Sequence, residues 1–223
     1  MLSTLPVEET FHSIQGEGAH AGRSAFFIRL ASCNVGCKWC DTKESWNPNN
    51  HSQISINVLA RYATQATSKG ASFIVLTGGE PLHHNLTPLC TAIKTTASKA
   101  GIQSMPIHLE TSGVDELSCT PNWLTLSPKR HAPPKLEILE TCQELKVIIH
   151  AKEDLYFAEE MAKEAITSRR KSKNNQESTS KKPLLFLQPG WNSVEGAELA
   201  FQHVLKNPNW RLSMQTHKWL GVH

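Results

Sequence analysis

The chain has 223 residues, 39% of them hydrophobic and 19% charged, with a formal net charge of +3, which supports one core and at most two small domains. No apolar run approaches the ~18 residues of a membrane span, and the N-terminus lacks the basic start and apolar centre of a secretory signal. We therefore expect a cytoplasmic protein without a membrane partner, and because most of the excess charge lies in one segment we predict no nucleic-acid surface.

Short apolar runs alternate with segments of helical periodicity from residue 25 onward. The first two helical segments each stop directly before a glycine, as helices commonly do. Strands are predicted at 25–30, 73–76, 107–109, 123–126, 144–149 and 184–187. Helices are predicted at 56–69, 86–100, 153–166 and 194–205.

This alternation indicates a parallel sheet with right-handed crossovers. Six strands are too few for a closed eight-stranded barrel, so we predict a single α/β domain over 1–223, built on a partial, open six-stranded parallel β/α barrel. Ligands of such sheets collect at the carboxyl ends of the strands. Distinctive polar segments follow five predicted strands, at 31–42, 77–81, 110–113, 127–129 and 188–189.

Residues 168–182 differ in kind from the rest of the chain. They are polar and basic and include no apolar side chain. Such a segment cannot bury enough surface to offset its loss of conformational entropy. We therefore predict a mobile surface insert here.

A loop with three cysteines follows the first predicted strand. Cys33, Cys37 and Cys40 have the spacing Cys-x3-Cys-x2-Cys, with no fourth cysteine close by. Three thiolates can hold three irons of a cubane cluster and leave the fourth iron to a small molecule, whereas clusters that only carry electrons usually have four. A zinc site is the alternative, with its fourth ligand from a histidine elsewhere. Candidate histidines are His12, His20 and His51.

A glycine-rich turn follows the second predicted strand. In Gly78-Gly79-Glu80-Pro81, two glycines let the backbone approach a ligand closely, and the carboxylate can meet an ammonium group. Alone, such a tetrapeptide is more often only a turn. One strand beyond a three-cysteine loop, it resembles the element with which radical S-adenosylmethionine (SAM) enzymes hold the amino group of SAM.

Further segments make the resemblance more specific. Together with the cysteine loop and the glycine-rich turn, they are similar to the 7-carboxy-7-deazaguanine synthase family of radical SAM enzymes, from about Glu9 to Gly221. In chain order they are residues 11–18, Arg29, 110–113, 127–129, 187–189 and 211–221.

The resemblance implies a partial barrel of the radical SAM type and a specific reaction. The substrate would be 6-carboxy-5,6,7,8-tetrahydropterin, and the products 7-carboxy-7-deazaguanine, a precursor of queuosine, and ammonia. The implied cofactors are a 4Fe-4S cluster, SAM and Mg²⁺. The implied partners are a one-electron reductant such as flavodoxin or ferredoxin and a second copy of the chain in a homodimer.

The resemblance also implies roles for individual residues. Cys33, Cys37 and Cys40 would bind the cluster, and Thr42 would bind Mg²⁺. Catalytic roles fall to Arg29, Thr42 and Glu17. The SAM-binding residues would be Trp39, Cys40, Asp41, Gly79, Glu80, Ser127, Pro128, Lys129, Gln188, Pro189, Gly190 and Trp191. The substrate-binding residues would be Ile14, Gln15, Gly16, Arg29, Thr77 and His217.

Simpler interpretations remain for several of these residues. Arg29 offers a planar fork to a carboxylate, but it could equally form a salt bridge at a strand end. Thr42 could cap a helix. Gln15 and Glu17 could read the amino-pyrimidine edge of a pterin, or they could belong to an ordinary turn. His217 could be a surface histidine.

Two other functions share some of these features. A glycyl-radical activase also uses a three-cysteine loop, but it needs a docking groove for a protein, and the polar segment 15–18 argues against one. The second alternative is a zinc-stabilised binding module, which would have no enzymatic function. The remaining cysteines, Cys90, Cys119 and Cys142, have no ligand spacing and are expected to pack as small buried side chains.

Overall fold

We describe a computed structural model of the chain, in which residues 3–173 and 182–223 are described. Nine strands form one sheet: β1 (Thr4–Ile14), β2 (Ser24–Leu30), β3 (Ser52–Ser55), β4 (Ile74–Gly78), β5 (Ile107–Thr111), β6 (Trp123–Leu126), β7 (Glu144–Ile149), β8 (Leu184–Pro189) and β9 (Trp210–Leu212). The helices are α1 (Ile56–Ser68), α2 (Thr87–Lys99), α3 (Leu136–Thr141), α4 (Lys152–Lys173), α5 (Val194–Lys206) and α6 (Thr216–Leu220). No helix in these described ranges is long and apolar enough to cross a bilayer.

The strand order is β3-β1-β2-β4-β5-β6-β7-β8-β9. The strands from β2 to β9 pair in parallel, and β1 and β3 add antiparallel strands at one edge. All six predicted strands are present, which confirms the open parallel sheet. The sheet is larger than predicted, because β9 adds a seventh parallel strand and β1 and β3 were not foreseen.

Side chains alternate between two environments along the parallel strands. When successive parallel strands are neighbours, right-handed crossovers place the connecting helices on one face of the sheet. Leu76, Leu109, Leu145 and Leu187 point to that face and are fully buried in the main hydrophobic core. The intervening residues face the other side. They are Arg29, Thr77, Glu110, Thr125, Lys146 and Gln188, and they line a cavity.

Serine caps fix the starts of two of the crossover helices. The Ser55 hydroxyl accepts the Val58 N–H at 3.3 Å at the start of α1, and the Ser193 hydroxyl accepts the Gly196 N–H at 3.0 Å at the start of α5. Each satisfies one of the backbone donors that a helix start leaves free. Among the cysteines outside the loop, Cys90 and Cys142 are buried in the main core and Cys119 packs against it, as expected.

The hairpin between β1 and β2 carries the polar segment 15–23 to the end of the sheet opposite the cysteine loop. Ile14 pairs with Ser24 at the start of β2, and the Gln15 N–H donates to the Arg23 carbonyl at 2.8 Å. This segment therefore reaches the cavity from the amino ends of the parallel strands. Residues at both ends of the parallel strands therefore contribute to the cavity.

Helix α4 continues beyond its predicted end at residue 166. Residues 168–173, assigned above to a mobile insert, belong to this helix, and residues 174–181 lie outside the described residues. Arg169 is only 5% exposed. Its guanidinium turns inward and donates to the Glu140 carbonyl at 2.7 Å and to the Cys142 carbonyl. These bonds tie the last turns of α4 to the end of α3.

Replacing Arg169 with Ala should lower the free energy of unfolding by about 2–3 kcal/mol, because it leaves two buried carbonyls without their donor. Denaturant unfolding of the purified protein measures this loss. Arg61→Ala, a change of the same type on the exposed face of α1, should cost less than ~0.5 kcal/mol. Equal stabilities for the two variants would contradict the role given to Arg169.

Candidate active site

A cavity of about 470 Å³ opens on the face of the sheet that the crossover helices leave free. Its wall includes the cysteine loop and the carboxyl ends of β4 to β8, and its floor includes Glu17 from the opposite end of the sheet. Cavities of this size bind cofactors and small molecules. Seventeen of the residues predicted to have a function line it. They are Glu17, Arg29, Cys33, Cys37, Trp39, Cys40, Asp41, Thr42, Thr77, Gly79, Glu80, Ser127, Lys129, Gln188, Pro189, Gly190 and Trp191.

The cysteine loop brings its three thiols to one cavity. Backbone bonds anchor it at its start, where the Ser32 N–H donates to the Ser45 carbonyl at 2.7 Å and the Cys33 N–H to the Trp46 carbonyl at 3.2 Å. The Trp46 indole N–H donates to Cys40 Sγ at 3.4 Å. Burial raises the pKa of the Cys33 and Cys37 thiols. Both thiols are therefore held neutral until a metal displaces their protons.

The two glycines of the turn are needed for packing within the protein. A Cβ on Gly78 would lie 2.0 Å from the Leu30 carbonyl oxygen, and one on Gly79 would lie 2.5 Å from the Ser32 carbonyl oxygen and 2.8 Å from Cys33 Cβ. The Gly79 N–H donates to the Leu30 carbonyl at 2.8 Å, and the Glu80 N–H to the Ser32 carbonyl at 2.9 Å. The glycines thus permit close packing against the start of the cysteine loop.

Glu80 is fully engaged by the protein. One carboxylate oxygen accepts the Leu82 N–H at 3.1 Å and the Thr111 hydroxyl at 2.5 Å. The other accepts the N–H and the hydroxyl of Ser112 at 2.8 and 2.5 Å. These four bonds use all four lone-pair sites of a carboxylate. An ammonium group could bind Glu80 only by taking the place of one of the hydroxyls.

The floor holds a buried ion pair between Glu17 and Lys146, and the Gln215 amide donates to Glu17 at 2.9 Å. Burial by itself would raise the pKa of Glu17, but the charge of Lys146 and the hydrogen bonds from Lys146 and Gln215 lower it to about 2. Burial likewise opposes the charge of Lys146, whereas Glu17, Glu110 and Glu144 raise its pKa. Both groups are therefore ionised at neutral pH.

Glu110 connects the floor to the wall. One of its carboxylate oxygens accepts from the Gln15 amide at 2.8 Å, and the other accepts from the Thr77 hydroxyl at 3.0 Å. The Gln15 carbonyl in turn accepts the Glu17 N–H at 3.1 Å. Gln15, Glu17 and Thr77 thus belong to one hydrogen-bonded network.

The simpler interpretations of Arg29 and Thr42 can be compared with their surroundings in the fold. Arg29 Nε donates to Glu9 at 2.9 Å, so the predicted salt bridge exists, although the side chain still lines the cavity. Thr42 precedes a 3₁₀ turn over Lys43–Trp46 but makes no capping bond. Its hydroxyl lies 3.7 Å from Cys40 Sγ. The capping role is therefore excluded.

Five of the predicted residues lie behind the cavity lining: Ile14, Gln15, Gly16, Pro128 and His217. Gly16 is in contact with the C-terminal tail. A Cβ there would lie 1.9 Å from the His217 ring, and the Gly16 carbonyl accepts the Thr216 N–H at 3.0 Å. The contact of Gly16 with His217 supports the floor from behind, and Gln15 supports it through its bond to Glu110.

The three histidines of the zinc alternative are engaged elsewhere. His12 bonds the Ser24 hydroxyl at 2.8 Å, and His51 bonds the Glu44 carbonyl at 2.8 Å. The ring of His20 packs between aromatic side chains below the floor, with its centroid 4.5 Å from that of Trp123. None of these histidines lines the cavity with the cysteines.

Comparisons with known proteins agree with this geometry. A family model for a 4Fe-4S single cluster domain matches residues 14–123. The chain is 56% identical to a 7-carboxy-7-deazaguanine synthase of Prochlorococcus marinus over the full length of both, and 43% identical to one of Synechocystis, covering 98% of this chain and 94% of the relative. The crystal structure of QueE from Escherichia coli superposes with a TM-score of 0.74 at 30% identity, over 95% of this chain and 93% of that one.

The chain belongs to the 7-carboxy-7-deazaguanine synthase family. It is an enzyme that carries a 4Fe-4S single cluster domain on a partial barrel. The residues present fit such a cluster. Three thiols line one wall of the cavity, an indole N–H donates to one of them, and the Lys129 ammonium lies close enough to Cys37 to lower the pKa of that thiol against the effect of burial.

Several cavity residues of this synthase were not identified from the sequence. Lys146 is the most important, and the signal was present, because Glu144 and Lys146 alternate with apolar residues along a buried strand. Glu110 belongs to the polar segment 110–113 that follows a predicted strand, but it was given no role of its own. The other lining residues without an earlier role include Thr111, Ser112, Thr125, His150 and Gln215.

Replacing Gly79 with Ala should reduce the iron bound per chain several-fold, since the added methyl group collides with Ser32 and Cys33 and displaces the cysteine loop. Iron analysis and visible absorbance after anaerobic reconstitution measure the loss. Gly101→Ala strains a turn with a positive φ of 74° but meets no neighbour. It should lower stability and leave the iron content unchanged. Full iron content in Gly79→Ala would contradict the close-packing argument.

Proposed function

We propose that this enzyme converts 6-carboxy-5,6,7,8-tetrahydropterin to 7-carboxy-7-deazaguanine with loss of ammonia, using SAM and Mg²⁺. One observation carries the proposal. A three-cysteine wall and a floor of ionised, hydrogen-bonded side chains share one cavity of about 470 Å³. A cofactor with a reactive end and a polar ring substrate can therefore meet in it.

The wall is suited to hold the cofactors. Cys33, Cys37 and Cys40 would bind the cluster. SAM would lie along the strand ends that meet there, at 39–41, 79–80, 127–129 and 188–191. When bound, the cluster and SAM supply the one-electron chemistry that removes a hydrogen atom from C6 of the substrate, and a one-electron donor of the flavodoxin or ferredoxin type would reduce the cluster. Homodimer formation stays a prediction.

The remaining groups bind and orient the substrate. The guanidinium of Arg29 and an Mg²⁺ ion on the Thr42 hydroxyl would hold the substrate carboxylate. Magnesium commonly takes few protein ligands together with substrate oxygens and water, so a single threonine hydroxyl suffices. Glu17, as a carboxylate, can accept from the N–H groups of the pyrimidinone ring. Thr77 and Gln15 fix Glu110 beside it.

Two tryptophans border the mouth of the cavity. Trp39 and Trp191 stand at the mouth, and the Lys218 ammonium lies 4.9 Å from the centroid of the Trp191 ring and pairs with Asp41. These contacts join the C-terminal helix α6 to the residue after Cys40.

Substrate deuterated at C6 tests the reaction. The reconstituted enzyme, incubated anaerobically with SAM, reductant and this substrate, should release 7-carboxy-7-deazaguanine together with 5′-deoxyadenosine that carries the label. Mass analysis detects both products. Unlabelled deoxyadenosine accompanied by product would refute hydrogen removal from C6, and the absence of both would refute the proposed function.

Replacing Thr42 with Ala should lower turnover by at least ~10-fold and abolish its response to added Mg²⁺, because the variant lacks the ligand oxygen. Cluster absorbance should be unchanged. Thr42→Ser keeps the hydroxyl and should retain the response. If Thr42→Ala responded to Mg²⁺ as the parent enzyme does, the ion would have to bind elsewhere.

A further inference from the structure

Lys146 presents a buried ammonium group to the cavity without using all of its donors. It lies on β7 between Leu145 and Val147, which point into the core, so its own side chain is directed to the cavity face. The side chain is 5% exposed. An ammonium group has three N–H donors. Within residues 3–173 and 182–223, Glu17 is the acceptor that bonds it.

The other carboxylates near Lys146 have donors of their own. Both oxygens of Glu110 are taken by Gln15 and Thr77. Glu144 accepts the Ala19 N–H at 3.0 Å and the Trp123 indole N–H at 3.3 Å. Their negative charge keeps Lys146 protonated without a direct bond to it. Because buried donors are nearly always satisfied, the remaining N–H groups of Lys146 are available to an acceptor of the molecule that fills the cavity.

We infer that Lys146 is a specificity-determining residue that donates to the ring carbonyl of the pterin, beside Glu17, which accepts from the adjacent ring N–H. This inference rests on the proposed function. The pyrimidinone edge of a pterin carries a carbonyl acceptor next to an N–H donor. An ammonium group beside a carboxylate matches this pair, because the ammonium donates to the carbonyl and the carboxylate accepts from the N–H. A floor without charge, or with negative charge alone, would not match both groups.

The charge state of the pair supports this match. Lys146 lowers the pKa of Glu17 to about 2 against the opposing effect of burial, so at neutral pH Glu17 only accepts and Lys146 only donates. The other charged or titratable groups that act on the pair are Glu110 on β5, Glu144 on β7, Lys129 and His217. A donor and an acceptor of fixed character, side by side, can discriminate between ligands whose adjacent ring groups have the opposite hydrogen-bonding pattern.

Two ligands that are not turned over test the inference. In 6-carboxypterin the ring carbonyl and its neighbouring N–H are present, whereas 2,4-diaminopteridine-6-carboxylate carries an amino group in place of the carbonyl and a ring nitrogen without hydrogen beside it. Their binding to the cluster-loaded enzyme with SAM and no reductant can be measured by equilibrium dialysis. The parent enzyme should bind 6-carboxypterin ~10- to 100-fold more tightly, because a charged donor faces an acceptor in one ligand and a donor in the other.

Lys146→Met should reduce this preference to the part that Glu17 contributes through the ring N–H, and Lys146→Arg should keep it in full. SAM binding and iron content should be unchanged in both variants. Lys152→Met, the same change at an exposed position of α4, should bind both ligands as the parent does. A merely structural role would weaken both ligands equally and leave their ratio unchanged.

The outcomes separate the inference from the proposed function. If the parent binds 6-carboxypterin but does not prefer it to the diamino compound, or if Lys146→Met keeps the full preference, Lys146 does not read the carbonyl and the inference is overturned. If the parent binds neither ligand, the proposed substrate class fails and the inference with it. Should Lys146→Met fail to fold, the parent ratio and Lys146→Arg still decide.

Discussion

The two-residue alternation of side chains along the parallel strands is the constraint on which the rest of this molecule depends. It directs one set of side chains under the helices, where Leu76, Leu109 and Leu145 are completely buried. It directs the residues between them to the opposite face, where Thr77, Glu110 and Lys146 meet. A shift of one residue in any strand would exchange the two sets. The register that stabilises the core therefore also assembles the floor of the active site.

Close backbone packing links the floor to the cysteine loop. Gly78 and Gly79 lie against Leu30 and Ser32 at distances that leave no room for a side chain. The N–H groups of Gly79 and Glu80 donate to the Leu30 and Ser32 carbonyls there. The position of Cys33 is thus set by two neighbouring strands and not by the loop alone. Such a support holds the cysteine ligands to the precision that catalysis needs.

The sequence allowed prediction of those features that depend on local pattern. The six apolar runs are strands, and the cysteine spacing indicated the cluster domain that the comparisons support. Strand β1 was missed because its residues are largely polar, and β9 because it has only three residues. The end of α4 was predicted too early because Arg169 lies in a wholly polar segment. Its guanidinium is nevertheless buried, since it donates to carbonyl groups 27 and 29 residues before it in the chain.

Lys146 shows why the floor was harder to predict than the wall. The cysteines are close in sequence, so their spacing alone suggests shared chemistry. The partner of Lys146 is Glu17, 129 residues away, and Glu17 is also bonded by Gln215, which is 198 residues from it. The C-terminal tail also contacts the segment that precedes Glu17, since Thr216 bonds Gly16 and His223 bonds Ser13. Contacts over such separations form only after long loops have closed. The charged floor therefore forms only in the complete fold, because segments near both ends of the chain must be folded before a substrate can bind to it.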